Sequence, residues 1–566
     1  MTNTSLPLRL SVALTMSLVG CASDDLPAET TGSTSGSNGS TGSAPGTTDS
    51  TPGSTGIDTS EDSGTSGTDS GGQDSTGTAD ECALEDEPVC IDGMNFVQCQ
   101  EVDGVLVNVE VQCEADSICA VSGCASPIQQ EFINQLTLYV DEVESRSAVP
   151  VEPDWALLIE DGTRAVVAGD DSPQTLFDAA RGIQLRIPQG HQWVRFGPSL
   201  CGDTDGMAYS RQTFYGACAR ASDDGAIVTV AAPDNPLGLT AGDRIVGTSA
   251  WTRGATFLQE MAAEPLCSSL TPTSEEAMRR QAAADLFGLL DEGDTVTVVD
   301  PSGGERELVA PARLDNDPVG WCLNPIAGGF STFEAQLTMR PDGVAVIRVP
   351  HFGPSETPFP QPLTPESYYE WVSDYVDRLA IVMDGVPPGA PIIWDARGNS
   401  GGAAEVPLAI VAGMPGAIRT PVSEGYLRIE GTSPAEFQSE PVPTFMFEVP
   451  QDDRLNHNAP TAVLVDGVAT SAADFFALGA KEYSDAIVVG TPGTGNYGFG
   501  GVSPSVLGGS VAELAHRIDF MQSRRIDGEP LEGFIVVPDI VVEYDPADLA
   551  AGVDTVLEAA VAAVLS

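Results

Sequence analysis

Residues 313–566 predict an α/β domain with a largely parallel sheet, and two observations carry the prediction. Short apolar runs alternate with amphipathic stretches, the pattern of strands joined by helical crossovers. Several runs also stop abruptly in Gly- and Asp-rich loops, at the strand ends where sites of open α/β sheets collect. In order, "GVAVIRVPHF" reads as a strand, "YYEWVSDYVDRLAIVM" as a helix, "APIIWDARGNSGG" as a strand running into a glycine loop, and "EVPLAIVAGM" as a helix. The strand "TAVLVDG", the helix "AADFFALGAKEY", the strands in "DAIVVGTP" and "FIVVPDIVVEYDP", and a closing helix "TVLEAAVAAVL" follow.

Residues 127–224 open on a helical pattern, "QQEFINQLTLYVDEVESR", pass through "EPDWALLIEDGTRAVVA", and offer a second helix in "SPQTLFDAARGIQL" before "IPQGHQWVRFG". Residues 225–312 turn β-rich, with "AIVTVAA" and "DTVTVVD" on either side of "NPLGLTAGDRIVGTSAW". This last stretch resembles the heart of a PDZ domain, where an apolar-Gly-apolar-x-x-Gly-Asp-x-Ile sequence forms a turn and the next strand. The resemblance implies a domain that binds extended chain ends by strand addition.

The first twenty residues hold one cation, Arg9, and an uncharged apolar stretch too short for a permanent membrane span, which predicts a signal peptide over 1–20. "LVGC" resembles the lipobox of bacterial lipoproteins. That implies lipidation at Cys21 and tethering to a membrane in the bacterial cell envelope, outside the cytoplasm, in the periplasm or on the surface. Beyond Cys21, residues to 81 are almost all Thr, Ser, Gly, Asp and Pro, too poor in apolar groups to offset the entropy of ordering, and predict a flexible stalk. Cys82, Cys90, Cys99, Cys113, Cys119 and Cys124 crowd residues 82–126 with no CxxC pair and no His, which predicts a disulfide module rather than a zinc site. Its pairing is open, and so is its role as a spacer or a partner-binding module. Cys201, Cys218, Cys267 and Cys322 complete an even set and are read as disulfides. A formal charge of −57 argues against nucleic acid and anionic lipid as partners, because both are polyanions.

The chemistry gathers in two loops. "IIWDARGNSGG" can turn successive backbone N–H groups toward one spot, as an oxyanion requires. "DGVATSAADFF" places Ser471 at a helix start, where Ser471-Ala-Ala-Asp474 also fits a capping box. Taken in order behind the PDZ-like segment, "DARGNSGG", "VLVDGVATSAADFFALGAKEYSDAIVVGTPGTG" and "EGFIVVPDIVV" resemble the S41 peptidases, the family of C-terminal processing and tricorn-core proteases. The resemblance covers roughly residues 130–566. It implies a ClpP/crotonase-like core with an N-terminal helical segment and an inserted PDZ-like domain, and serine-dependent hydrolysis of a polypeptide substrate without metal or cofactor. By position in the motif Ser471 matches the nucleophile, with the N–H of Ala472 and of Gly401 or Gly402 as oxyanion donors. Asp395 and Asp474 read as supports of the turns, and Ser400 as a loop residue.

A serine hydroxyl needs a base. The C-terminal processing branch uses a lysine after the glycine turn, and Asn496 stands at that position. The chain's single lysine, Lys481, lies about 15 Å along the helix from Ser471, beyond reach. The tricorn-like branch takes a histidine from the segment before the PDZ domain, which implies His191, with Glu532 ahead of "PDI" completing the relay. That branch has a serine before its histidine, where this chain has Gly190. His351, just past a strand, is the competing base, and His457 and His516 read as surface histidines. The absent lysine and Gly190 support a rival expectation, an inactive fold that binds peptides as a surface scaffold.

Overall fold

Six strands form the sheet that organises the C-terminal half, in the order Gln336–Met339, Ala345–Arg348, Ile392–Asp395, Thr461–Val465, Ile487–Gly490, Ile540–Val541. The first pair is antiparallel and the rest are parallel. This computed structural model describes residues 88–196 except 103, 104, 115 and 122, then 215–251, 256–263, 273–312, 322, 334–353, 364–498 and 505–566. The expected signal peptide, Cys21, the stalk, Cys82, Cys201 and Cys267 lie outside the described residues.

Side chains alternate between the faces of a strand, and here both faces are covered. Ile392, Trp394, Val463, Val465 and Val488 pack with the helices Pro365–Met383, Glu405–Ala412 and Ala472–Tyr483. Ile393, Ala462, Leu464 and Val489 pack with Val556, Ala560 and Val564 of the closing helix Thr555–Leu565. All five residues of Thr461–Val465 are therefore buried, which explains an uninterrupted apolar run where a half-exposed strand would alternate. Because Ile392–Asp395 and Thr461–Val465 are parallel neighbours, with Asp395 opposite Leu464, their following loops leave from the same edge. That is the physical reason the glycine loop and the Ser471 turn meet.

"FIVVPDIVV" yields less strand than expected: only Ile540–Val541 joins the sheet. Pro538 has no N–H to give a ladder, and the start of the segment is committed to a turn in which the Phe534 N–H bonds the Leu531 carbonyl at 2.7 Å.

Upstream, the helices Pro127–Arg146, Trp155–Ala168 and Pro173–Leu185 share one core with Val194, Leu514 and Ile518. The first opens with a complete capping box, Ser126 with Gln129. The strand Trp193–Phe196 then pairs antiparallel with Leu514–Arg517, Trp193 facing Arg517. Five antiparallel strands make the next sheet: Glu305–Val309, Thr295–Val299, Arg244–Thr248, Gly225–Ala231 and Ala217–Ser222. That sheet starts at Ala217, earlier than residue 225. Its turn "AGDRI" is built around Gly242 at φ +90°, a backbone conformation that favours glycine, and around Asp243, which accepts from the Thr240 N–H at 2.7 Å. Disulfides join Cys218 to Cys322, Cys90 to Cys119 and Cys113 to Cys124, and Cys99 is also disulfide-bonded. No helix among the described residues is long and apolar enough to cross a membrane.

Candidate active site

The strand Thr461–Val465 ends at Asp466, whose carboxylate accepts from the Gly398 N–H at 2.8 Å and from Arg220 Nε at 2.9 Å. The turn that follows delivers Ser471 at φ 60°, ψ −118°. A non-glycine residue held there stores about 1–3 kcal/mol of strain and persists only when its surroundings fix it. The expected capping box does not form: Ser471 makes no side-chain cap hydrogen bond. Instead its Oγ lies 3.2 Å from Nε2 of His191, 280 residues away in sequence. Asp474 braces the neighbouring turn at 494–496. Its carboxylate accepts from the N–H groups of Gly495 at 3.0 Å and Asn496 at 3.1 Å, which ties the glycine turn to the Ser471 helix. Complete burial pushes its pKa up to about 7 against those hydrogen bonds.

The glycine loop is clamped by Asn399, which has no exposed surface. Its Nδ2 donates to the Val349 carbonyl at 2.8 Å, and its Oδ1 accepts from the Gly401 N–H at 2.7 Å. The Asn399 carbonyl in turn accepts from the Thr470 N–H at 3.1 Å, beside Ser471. A β-carbon on Gly401, at φ +104°, would sit 2.7 Å from Ser471 Cβ and 3.1 Å from its Oγ, so only glycine fits. Of the two expected glycine donors, Gly401 is thereby spent on Asn399. Among the described residues the N–H groups of Gly402 and Ala472 carry no hydrogen bond. Asp395 is the turn support expected of it: Arg397 and Arg348 bind it and hold it down to about 2 despite burial.

His191 is 2% exposed. Burial pushes its imidazole below the ordinary value, while Glu532 and Asp519 pull the other way. Neutral imidazole facing a hydroxyl can accept its proton. Glu532, also buried, does not bond the ring. One oxygen accepts from the Gly190 N–H at 2.7 Å and the other from the Tyr497 N–H at 2.8 Å, so it braces the chain next to the histidine. Gly190 has a steric reason: a β-carbon there would lie 2.0 Å from Oδ1 of Asn496. The Asn496 amide fills that space and donates from Nδ2 to Thr470 Oγ1 at 3.1 Å.

The other candidates have partners of their own. Nδ1 of His351 is 3.4 Å from the Gly353 carbonyl. Lys481 bonds Asp539 at 2.8 Å. His457 is half-buried and bonds Thr461 Oγ1 at 2.9 Å. His516, expected at the surface, is fully buried against Tyr139 with its Nε2 2.8 Å from Glu142. Sequence reasoning missed Asn399, although it lies inside the glycine motif, and Arg220 and Asp519, for which no local signal exists.

Residues 343–542, which carry both loops and Glu532, match the profile of peptidase family S41. This segment belongs to peptidase family S41. In fold the chain is similar to mature CPAF complexed with lactacystin, at 14% identity and a TM-score of 0.55, covering 77% of this chain and 98% of that one. A second structure of mature CPAF matches at 13% identity and a TM-score of 0.54, over 77% and 96%. At such identities the likeness is one of fold. No curated protein matches this sequence.

Proposed function

We propose that this chain is a serine endopeptidase of the tricorn-like branch, acting on polypeptides outside the cytoplasm from a lipid anchor at Cys21. The observation that carries the reading is the 3.2 Å approach of His191 Nε2 to Ser471 Oγ in a family of peptidases. Ser471 attacks the scissile carbonyl and His191 takes its proton, then passes it to the leaving amine. The tetrahedral oxyanion is held by the N–H groups of Gly402 and Ala472, helped by the N-terminus of the helix Ala472–Tyr483. Water then repeats the sequence on the acyl-enzyme. Glu532 supports the base by fixing the main chain at Gly190. The five-stranded sheet is read as the PDZ-like module that receives an extended chain end. Its strand Ala217–Ser222 reaches the nucleophile turn through the Arg220–Asp466 ion pair.

A fluorophosphonate probe tests the reading. Wild type is expected to be labelled at one serine and to degrade an unstructured polypeptide, and Ser471→Ala to do neither. Its fold should be kept, since no cap hydrogen bond is lost. Absence of labelling and turnover in the wild type would sink the proposal.

A further inference from the structure

The imidazole of His191 has one end unclaimed. Nε2 faces Ser471, but Nδ1 is buried with no hydrogen-bond partner among the described residues. An orphaned nitrogen on a base beside a nucleophile calls for an acceptor. Glu532 does not supply it: its two oxygens accept from the Gly190 and Tyr497 N–H groups, and neither bonds the ring. A second orphan lies close by: Oδ2 of Asp519, a residue with no exposed surface, also has no partner. The two orphans flank one small space. A β-carbon on Gly498 would come within 2.2 Å of Asp519 Oδ2 and 2.9 Å of His191 Nδ1. The chain path explains the meeting, since the pairing of Trp193 with Arg517, continued two residues outward, sets His191 opposite Asp519. The Asp519 main chain is also pinned to this segment. Its carbonyl accepts from the Ala148 N–H at 2.7 Å and from the side chain of Gln189 at 3.3 Å.

We propose that Asp519 is the positioning carboxyl group of the Ser471–His191 pair, accepting the hydrogen bond of the Nδ1 proton, while Glu532 fixes the main chain. A small rotation of the Asp519 side chain, or one water beside Gly498, closes the gap. The proposal rests on the serine-peptidase reading. During acylation the Ser471 proton moves to His191 Nε2 as Oγ bonds the carbonyl carbon and an electron pair moves onto the carbonyl oxygen. When that oxyanion collapses, the C–N bond breaks and the same proton leaves on the amine. No proton passes to Asp519. By accepting from Nδ1–H throughout, it keeps the Nε2 lone pair on Ser471 and stabilises the imidazolium.

Burial above all pushes Asp519 up to about 8, with Glu532 adding to the rise, while His191 and Arg517 oppose it. Below that value the neutral carboxyl accepts through its carbonyl oxygen, and above it the carboxylate stabilises the imidazolium more strongly. Wild-type kcat is therefore expected to rise twice with pH. The first rise follows His191, faced by Glu532, Asp519 and Arg517, and the second follows Asp519.

The test measures kcat and KM on an unstructured polypeptide from about pH 5 to about pH 10. It compares wild type, Asp519→Asn, Glu532→Gln and Ser471→Ala. Asp519→Asn should lose about 10²-fold or more in kcat with KM within about twofold, because an amide can donate to Nδ1 and reverse the tautomer. It should also lose the second rise, which Glu532→Gln keeps. Asp519→Asn with wild-type kcat and pH profile overturns the proposal while leaving Ser471 standing. An inactive wild type, or an active Ser471→Ala, overturns the serine-peptidase reading and this proposal together. Should Asp519→Asn fail to fold, nitrogen-15 NMR of the wild-type histidines decides: a proton on Nδ1 of neutral His191 supports the assignment, and one on Nε2 overturns it.

Discussion

The two halves of the candidate site are built in opposite ways. The nucleophile half comes from adjacent parallel strands, whose loops at 395–402 and 466–472 leave the same sheet edge and bond each other directly, Thr470 to Asn399 and Gly398 to Asp466. The base half is assembled from distant segments. His191 meets Ser471 across 280 residues, and Glu532 braces Gly190 across 342. The difference teaches where tolerance lies. In the first half the obstacle to change is Ser471 itself, and in the second it is a neighbour, Asn496, that can be changed in turn.

Three measurements can break or sharpen that contrast. The largest effect is expected from the histidines: His191→Ala should lower kcat by about 10⁴-fold or more, while His351→Ala should stay within about tenfold, assayed on one unstructured polypeptide. The reverse order would move the base to the strand end and dissolve the comparison. Next come the glycines. Gly401→Ala places a methyl group 2.7 Å from Ser471 Cβ and should cost about 10²-fold or more in kcat with no second-site rescue. Gly190→Ser collides instead with the Asn496 amide, so activity and Tm should fall together and recover in Gly190→Ser/Asn496→Ala. Failure of the double variant to recover would show both halves equally rigid.

The smallest effect is in stability against pH. Asp474 is raised from the ordinary 3.8 to about 7 in the folded chain. The folded state therefore binds its proton more tightly, and the contribution is complete below the unfolded value and lost as pH rises through about 7. Tm should decline between about pH 5 and pH 8, and Asp474→Asn should flatten that decline. An unchanged slope in the variant would mean that its carboxyl is ionised throughout. His191 shifts the other way. Burial keeps it neutral, so the acid limb of kcat/KM should fall below 6.5, the ordinary histidine value.

What could be read in the sequence follows the same division. The strands and crossover helices of 345–490 are legible because burial on both faces leaves uninterrupted apolar runs such as "TAVLV" and periodic helices such as "YYEWVSDYVDRLAIVM" between them. Ser471 and the glycine loop are legible because their neighbours in space are neighbours in the motif. The capping box was misleading, since Ser471-Ala-Ala-Asp474 satisfies the pattern while a positive φ takes the hydroxyl away from the helix. The choice between Gly401 and Gly402 is not legible, because the Gly401 N–H is consumed two residues away, by a side chain whose direction no spacing reveals. Asp519 sits in "RIDFMQSRR", a stretch without motif or periodicity, and only the pairing of Trp193–Phe196 with Leu514–Arg517 gives it a place.

The Cys218–Cys322 disulfide spans 104 residues and encloses nearly all of the five-stranded sheet. The proposed activity on unfolded chains would expose the protein itself to cutting, and a nick anywhere inside that loop would leave two fragments still covalently joined. The strand Ala217–Ser222, with Arg220 on Asp466, would remain fastened beside the residues that follow the cut. Nicked molecules should therefore run as one species until thiol is added, and keep the brace behind the Ser471 turn in the meantime.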